Sequence, residues 1–331
     1  MRQARKILLC LLLLSFLSCE KTDSYSKRQL LPADPVLHAT SAYIAVLGDI
    51  QIYTAGIAYM SYLEGTMDWL WSQKRHGTNI ACILQDGDVS DNNDIHEWER
   101  FRSVTEMVAA ETPFITCTGN HDYDWDKDYH INDRRSTHIN EYASFPLTLS
   151  RIDASFEPDR IENVVIRNEI AGERYDILVL EFGPRTEVLD WAREYVSSRP
   201  DRKFILMTHE FLSREGERVS GGSYAGRQLR NTTWSSPEDV WRNLVKDNDN
   251  IVCVLCGHNG FSTRLYSTNS FGREVPQILF NLQYQEYGGD GWIQLWEFPD
   301  KSDSVSVSVY NTIRREMHPD PATRFKFRYR Y

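Results

Sequence analysis

The four residues Gly119-Asn120-His121-Asp122 offer the densest potential chemistry in the chain. They follow the apolar run 114–118, as a polar loop follows a buried strand, and the glycine permits a sharp backbone turn. The Asn120 oxygen can bind a divalent cation, the His121 imidazole can give or take a proton, and the Asp122 carboxylate can orient an imidazole. An ordinary Asx turn would also fit these four residues, so other parts of the chain must distinguish the two interpretations.

Four further potential metal ligands stand, like Asn120, at the ends of predicted strands. They are Asp49, Asp88, His209 and His258, each directly followed by loop or helix. Any one of them alone is a commonplace polar strand end. Because strand ends can converge at one edge of a sheet, together they predict a cation site with oxygen and imidazole ligands.

The elements that must position these residues alternate along the chain. Helical spacing of apolar residues separates the early strands, and only strands follow residue 258. This order predicts an α/β (α+β) domain of mixed sheets with helices outside and no boundary after residue 40. The predicted strands are 43–47, 80–84, 114–118, 163–170, 174–182, 203–207, 251–255, 278–282, 292–298 and 305–309.

Composition narrows the classes of function. The chain has 331 residues, of which 41% are hydrophobic and 25% charged, as in ordinary globular proteins. Its formal net charge is −10, and the first 18 residues contain three basic residues and no acid, so the remainder is still more negative. This charge argues against extended nucleic-acid binding.

The N-terminus has the plan of a secretory signal. Residues 1–18 contain a basic start and an apolar run too short to span a bilayer. The segment Phe16-Leu17-Ser18-Cys19 resembles a bacterial lipobox, in which the cysteine is lipidated, and 19–40 would be the tether. We therefore expect a cell-envelope protein anchored to a bacterial membrane by this lipid alone; a plain secretory signal is the alternative.

Cys253 and Cys256 have the CxxC spacing of redox and zinc pairs. Both lie in an apolar run, and within a strand their side chains would point to opposite faces. We interpret them as core residues.

The ordered motifs resemble those of the calcineurin-like metallophosphoesterase superfamily over most of the span 43–310. That family has Asp-x-His, Gly-Asp-x-x-Asp, Gly-Asn-His-Asp, an isolated His and Gly-His-x-His. The corresponding blocks here are Asp49-Ile50-Gln51, Gly87 to Asp91, Gly119 to Asp122, His209, and Gly257-His258-Asn259-Gly260.

The resemblance implies two facing mixed β-sheets flanked by helices, a metallo-dependent phosphatase-like fold in residues 41–331. It also implies a ligand set. In the first site, Asp49 would bind one ion, and Asp88 would bridge it to a second. In the second site, Asp88 would be joined by Asn120, His209 and His258. One or two divalent ions (Mn, Fe, Zn or Mg) are expected.

The resemblance further implies catalysis. A metal-bound hydroxide would attack a phosphate mono- or diester in line, because bound metal lowers the pKa of water and neutralises developing charge. His121 would meet the phosphoryl or leaving oxygen, and Asp122 would hold the His121 ring. The expected substrate is a phosphorylated small molecule or glycan.

Two departures from the family pattern fall on the first site. Gln51 and Gly260 stand where the family has histidines. Gln51 could still offer a carbonyl oxygen, but Gly260 has no side chain. The alternative function is therefore a lipoprotein that binds a phosphorylated or acidic ligand with little or no turnover.

Three residues are candidate substrate contacts. Arg185 could bind a phosphate through its guanidinium, although a surface salt bridge is the competing interpretation. Tyr123 and Trp125 could stack on a sugar or base, and packing within a lid would explain them equally. Specificity is expected in the loops 122–150 and 210–236.

We predict that the mature protein begins at a lipidated Cys19. Mass spectrometry of the mature N-terminus, with Cys19→Ser as the control that should not be lipidated, checks this. An unmodified N-terminus beyond residue 19 would leave only ordinary secretion.

Overall fold

The computed structural model describes residues 30–128, 130–220 and 224–328. The fold belongs to the compact unit Leu31–Tyr331. The predicted signal, Cys19 and the tether up to residue 29 lie outside the described residues. Within the described part of the chain, no helix combines the length and apolarity that a bilayer span requires.

Seventeen strands are present in the described residues. In chain order they are β1 Ser41–Leu47, β2 Asn79–Gln85, β3 Phe114–Thr116, β4 Asp124–Asp126, β5 Ile131–Asp133, β6 Ile152–Ser155, β7 Val164–Ile166, β8 Glu169–Ile170, β9 Glu173–Val179, β10 Lys203–Met207, β11 Ile251–Cys256, β12 Phe261–Thr268, β13 Glu274–Asn281, β14 Trp292–Pro299, β15 Ser304–Asn311, β16 Glu316–Met317 and β17 Phe325–Arg328.

These strands form two large mixed sheets and one small hairpin. The first sheet has the order β16-β15-β14-β1-β2-β3, with β17 also paired to β15. The second has the order β12-β13-β11-β10-β9-β7-β6, with β8 paired to β9, and β4 pairs only with β5. Strands β1, β2 and β3 run parallel, as do β9, β10, β11 and β13. Parallel neighbours bring their carboxyl ends to one edge of each sheet.

The helices connect the parallel strands and cover the outer faces. They are α1 Gln51–Thr54, α2 Met60–Arg75, α3 Ile95–Ala109, α4 Ile139–Tyr142, α5 Pro146–Leu149, α6 Thr186–Ser197, α7 Tyr224–Gln228 and α8 Pro237–Val240, which continues as the π-helical turn Trp241–Val245. A helical turn, Glu286–Gly289, and a 3-10 turn, Pro321–Thr323, complete the set. Helix α8 begins with a Ser236–Asp239 capping box and with Pro237 in the first position.

Alternation along the strands divides the core into layers. Ile44 and Val46 of β1 pack between the two sheets with residues such as Ile205 and Met207 of β10. Ala45 and Leu47 face the other way, toward α2 and α3. Both faces of the central strands are therefore buried, which explains why they are apolar throughout.

The fold class expected from the sequence is confirmed by these facing mixed sheets. Strand β10 has the predicted bounds, and Cys253 and Cys256 lie in separate core layers with free thiols. The prediction missed β12, because this edge strand is half-exposed and carries polar residues. It also treated 122–150 as loop, whereas this segment contains the β4–β5 hairpin and two short helices.

Replacing Phe101 with alanine should destabilise the domain strongly. The ring is fully buried and contacts the rings of Trp98, Phe114 and Phe145. Removing this ring leaves a cavity, which lowers the free energy of unfolding by about 3–5 kcal/mol. Urea unfolding at fixed metal concentration measures it, and Ile57→Ala, at a side chain 86% exposed, should change stability by less than about 0.5 kcal/mol.

Candidate metal centre

The two sheets bring the predicted ligands together at their carboxyl edges. Asp88 follows β2, His209 follows β10 and His258 follows β11. One ligand atom of each of these three residues lies within 4.8 Å of the other two. Strands far apart in sequence therefore build one cluster with the composition of a divalent metal site.

The His209 ring is fixed in the orientation that a ligand requires. It is fully buried, and its Nδ1 donates to the Asp86 carbonyl at 2.8 Å. Because a carbonyl only accepts, Nδ1 carries a hydrogen and Nε2 faces the cluster. Nε2 lies 3.2 Å from Asp88 Oδ2 and 3.2 Å from His258 Nδ1.

The charges in this cluster depend strongly on one another. Burial would raise the pKa of Asp88, but the positive charge of His209 lowers it below its ordinary value. Burial would lower the pKa of His209, but Asp88 and Asp49 raise it to about 10. Burial and the charge of His209 lower the pKa of His258 to about 3. The buried carboxylate thus requires a positive charge beside it, which a divalent cation can provide.

Asn120 lines the same cleft as Asp88 and His258. It is buried, and its Oδ1 has no hydrogen-bond partner among the described residues. The Asn132 amide of β5 donates to the Asn120 carbonyl, which fixes the loop. A buried oxygen without a donor is the acceptor expected to face a cation. The second site therefore fits a divalent ion with one amide, one carboxylate and two imidazole ligands.

Asp88 and His258 both adopt left-handed backbone conformations, with φ of 54° and 66°. This region is costly for residues with a side chain and is concentrated at functional sites. Gly119 is required nearby because a Cβ there would overlap the Asp88 carboxylate. The close packing of these loops is what brings the ligands within reach of one ion.

The first site is built differently from the second. Asp49 is buried, and its Oδ1 accepts from the His258 backbone N–H at 3.0 Å. Its Oδ2 accepts from the side-chain amides of Asn281 and Gln283, the latter at 2.9 Å. Burial chiefly raises the pKa of Asp49, to about 8. Three donors thus already surround this carboxylate.

Gln51 and Gly260 lie at this site, as the order of the motifs implied. Gln51 Nε2 donates to Asp88 Oδ2 at 3.2 Å, and its Oε1 has no partner in the described chain. Gly260 lies outside the left-handed region, but a Cβ there would overlap the Tyr284 ring. An aromatic ring therefore occupies the space in which a side chain at position 260 would begin.

Asp86, Asn281 and Gln283 were missed from the sequence. Both carboxylate oxygens of Asp86 are buried and without a partner among the described residues, and burial raises its pKa well above the ordinary value. Asp86 and Asp49 each place an oxygen 2.5 Å from where a Gly257 Cβ would lie. Their positions in the sequence could have indicated a site role, because Asp86 ends the apolar run of β2, and Asn281 and Gln283 end that of β13.

His121 lines the cleft beside the second site without joining the ligand cluster. Its Nδ1 donates to the Asp91 carbonyl at 2.7 Å, and its backbone N–H donates to Asp88 Oδ1 at 3.0 Å. Burial would lower the pKa of His121, but Asp88 and the Asp91 carbonyl raise it above its ordinary value. The side chain is 41% exposed, so Nε2 can reach a bound molecule.

Asp122 does not hold the His121 ring, contrary to expectation. Its carboxylate is fully buried and accepts from the backbone N–H groups of Gly119 at 2.8 Å and Ser90 at 2.9 Å. The carboxyl group is directed into the loop, so Asp91 orients the ring instead. Asp122 fixes the shape of the metal-binding loops.

The candidate substrate residues do not line this cleft. Arg185 pairs with Glu157 and Glu181, and its side chain is only 18% exposed. Tyr123 is 2% exposed, its hydroxyl lies 2.7 Å from that of Thr118, and its ring packs in a buried cluster with Phe182 and Leu229.

Trp125 is 41% exposed on the β4–β5 hairpin.

The cleft beside the metal centre has a volume of about 390 Å³. The residues that line it are Gln51, Asp88, Asn120, His121, Arg214, Gln228, His258, Asn259, Gly260, Gln283 and Tyr284.

Comparison with known proteins identifies the class. Residues 42–260 match the family described as calcineurin-like phosphoesterase, and the chain belongs to this family. The family predicted from the motifs is thereby confirmed.

Individual relatives are distant. The chain is 25% identical over 304 residues to the uncharacterized protein YvnB of Bacillus subtilis, covering 86% of this chain and 21% of that protein. It is similar to the 5′-nucleotidase precursor of Thermus thermophilus, with a TM-score of 0.42 and 13% identity, over 84% of this chain and 53% of that one. The chain thus spans about a fifth and about half of their lengths.

Asn120→Ala should weaken metal binding at the second site at least about tenfold, because it removes a ligand oxygen from a preformed cluster. Calorimetric titration of metal-stripped protein with Mn²⁺ measures the change. Asn250→Ala is the matched control: this amide caps the Val196 and Arg199 carbonyls at the other end of β11. Equal affinity of the Asn120 variant and the unmodified protein would remove Asn120 from the ligand set.

Proposed function

We propose that the protein is a metal-dependent phosphoesterase that acts on phosphorylated small molecules or glycans at the cell envelope, to which Cys19 tethers it. The observation that carries the activity is the convergence of Asp88, His209 and His258 with the unpartnered Asn120 oxygen. This cluster opens into the cleft that His121 lines.

Divalent ions in the two sites would lower the pKa of water and neutralise negative charge on the phosphoryl group. Asp88, Asn120, His209 and His258 would hold the ion of the second site. Asp49, Gln51 and Asp88 would hold that of the first. The chain's own contribution is to fix these ligands on rigid strand ends, so that little reorganisation accompanies binding.

His121 is suited to proton transfer. The Asp91 carbonyl holds its Nδ1 as a donor, so Nε2 is the nitrogen that changes protonation. When Nε2 is also protonated, its N–H can donate to the leaving oxygen of an ester, while the Asp91 carbonyl keeps the ring in place through Nδ1. The exposed position of the ring allows this contact without displacing a metal ligand.

The specific observation that favours the alternative, a binding protein with little turnover, is the first site. Its two family histidines are replaced, and three donors already contact Asp49. A single ion in the second site could then bind a phosphorylated ligand without activating water. Turnover distinguishes the two functions.

His121→Ala should lower the rate of ester hydrolysis by roughly a hundred to ten thousandfold and leave metal content unchanged, because the ring transfers protons and binds no metal. Steady-state hydrolysis of mono- and diesters with Mn²⁺, Zn²⁺ or Mg²⁺, together with metal analysis, measures both properties. His96→Ala, at an exposed imidazole paired with Glu99, is the control.

Two results would count against these assignments. Loss of metal in step with loss of rate would make His121 a ligand. No hydrolysis by the unmodified, metal-loaded protein, combined with retained binding of phosphate, would favour the binding function.

A further inference from the structure

An exposed aromatic ring forms part of the cleft wall. Tyr284 is 74% exposed and lines the same cleft as Asp88, Asn120 and His121. An aromatic ring in such a position presents a flat apolar surface beside polar groups, which is the arrangement that binds a second ring by stacking.

The backbone that carries Tyr284 is anchored to the metal centre. Gln283, directly before it, is buried and donates its side-chain amide to Asp49 and its backbone N–H to Asn281 Oδ1 at 3.0 Å. Gln285, directly after it, donates its N–H to the Leu282 carbonyl at 2.9 Å. The ring therefore has a defined place relative to the ion-binding residues.

Gly260 makes room for this ring. Because a Cβ at that position would overlap Tyr284, the glycine and the tyrosine act as a pair. The chain lacks a potential ligand at position 260 and has an aromatic surface in its place. The side of the cleft formed by the first site thus presents an aromatic surface beside the potential ligand oxygens.

Arg214 is a second residue of the cleft wall that could contact a ligand. Among the described residues that line the cleft, it is the one arginine or lysine. It is exposed and forms no ion pair within the part of the chain that the structure describes. A guanidinium can donate two parallel hydrogen bonds to phosphoryl oxygens, so an unpaired one beside a metal centre suits a phosphate group.

We propose that Tyr284 and Arg214 form a subsite for phosphate esters whose alcohol part contains an aromatic ring, which stacks on Tyr284 while Arg214 binds the phosphoryl oxygens. This inference rests on the proposed phosphoesterase function for its substrate, although its binding test does not require turnover. The subsite selects aromatic esters over alkyl esters, because an alkyl group has no flat face to stack.

The test uses phenylphosphonate and methylphosphonate, whose phosphorus–carbon bonds are not cleaved by ester hydrolysis. Calorimetry with the full, metal-loaded protein should show phenylphosphonate binding about tenfold more tightly than methylphosphonate, as expected for one stacking contact. Tyr284→Ala should abolish this preference, and Tyr284→Phe should retain it. Phe271→Ala, at a ring 59% exposed outside the cleft, should also retain it.

Arg214→Ala should weaken both phosphonates equally, by roughly tenfold or more, because it removes charged hydrogen bonds to the group that they share. Arg214→Lys should recover part of the affinity. Arg135→Ala, at a side chain 88% exposed, is the control and should change neither affinity.

The subsite is overturned if Tyr284→Ala keeps the phenyl preference, or if it weakens both ligands equally and loses metal. It is also overturned if the unmodified protein binds the two phosphonates equally. A phenyl preference that Tyr284→Ala removes, in a protein that hydrolyses no ester, would support the subsite and refute the phosphoesterase function. The two proposals can therefore fail separately.

Discussion

The buried carboxylate of Asp88 is the group on which the rest of the site depends. Its Oδ1 accepts from the His121 backbone at 3.0 Å, and its Oδ2 lies 3.2 Å from both Gln51 Nε2 and His209 Nε2. Its own carbonyl accepts from the Ile50 N–H at 3.1 Å. Burying such a charge is costly unless donors and cations surround it. That requirement fixes the loops after β1, β2, β3 and β10 around one point.

The parts of this arrangement that follow a local rule could be predicted from sequence. Buried parallel strands are apolar on both faces, so the residues that end the apolar runs, such as Asp49, Asn120 and His209, were identifiable as one group. The hydrogen-bond partner of the His121 ring could not be predicted in this way. Whether the Asp91 carbonyl or the Asp122 carboxylate reaches the ring depends on the path of two loops, and no periodic pattern specifies that path.

Contacts between residues far apart in the chain could also not be predicted from the sequence. Asp49 meets Gln283 over a separation of 234 residues, because β1 and β13 belong to different sheets whose edges coincide. Asp86 was not predicted as a site residue for another reason. A carboxylate at the end of an apolar run is expected to be exposed, yet this one is fully buried. Only the packing of one sheet on the other shows that Gln283 and Asp86 lie beside the ion-binding residues.

The two sides of the metal centre therefore differ in kind. The second site keeps two imidazoles, and one of them, His209, is held in a single tautomer by a backbone carbonyl. The first site has oxygen donors only, from Asp49, Asp88 and Gln51, and oxygen ligands favour hard cations over zinc. Tyr284 fills the space beside Gly260. Since a tyrosine ring cannot coordinate a cation as an imidazole does, we expect this side to bind an ion less strongly than the second site does. The same replacement leaves an exposed aromatic surface where a histidine ligand would have stood.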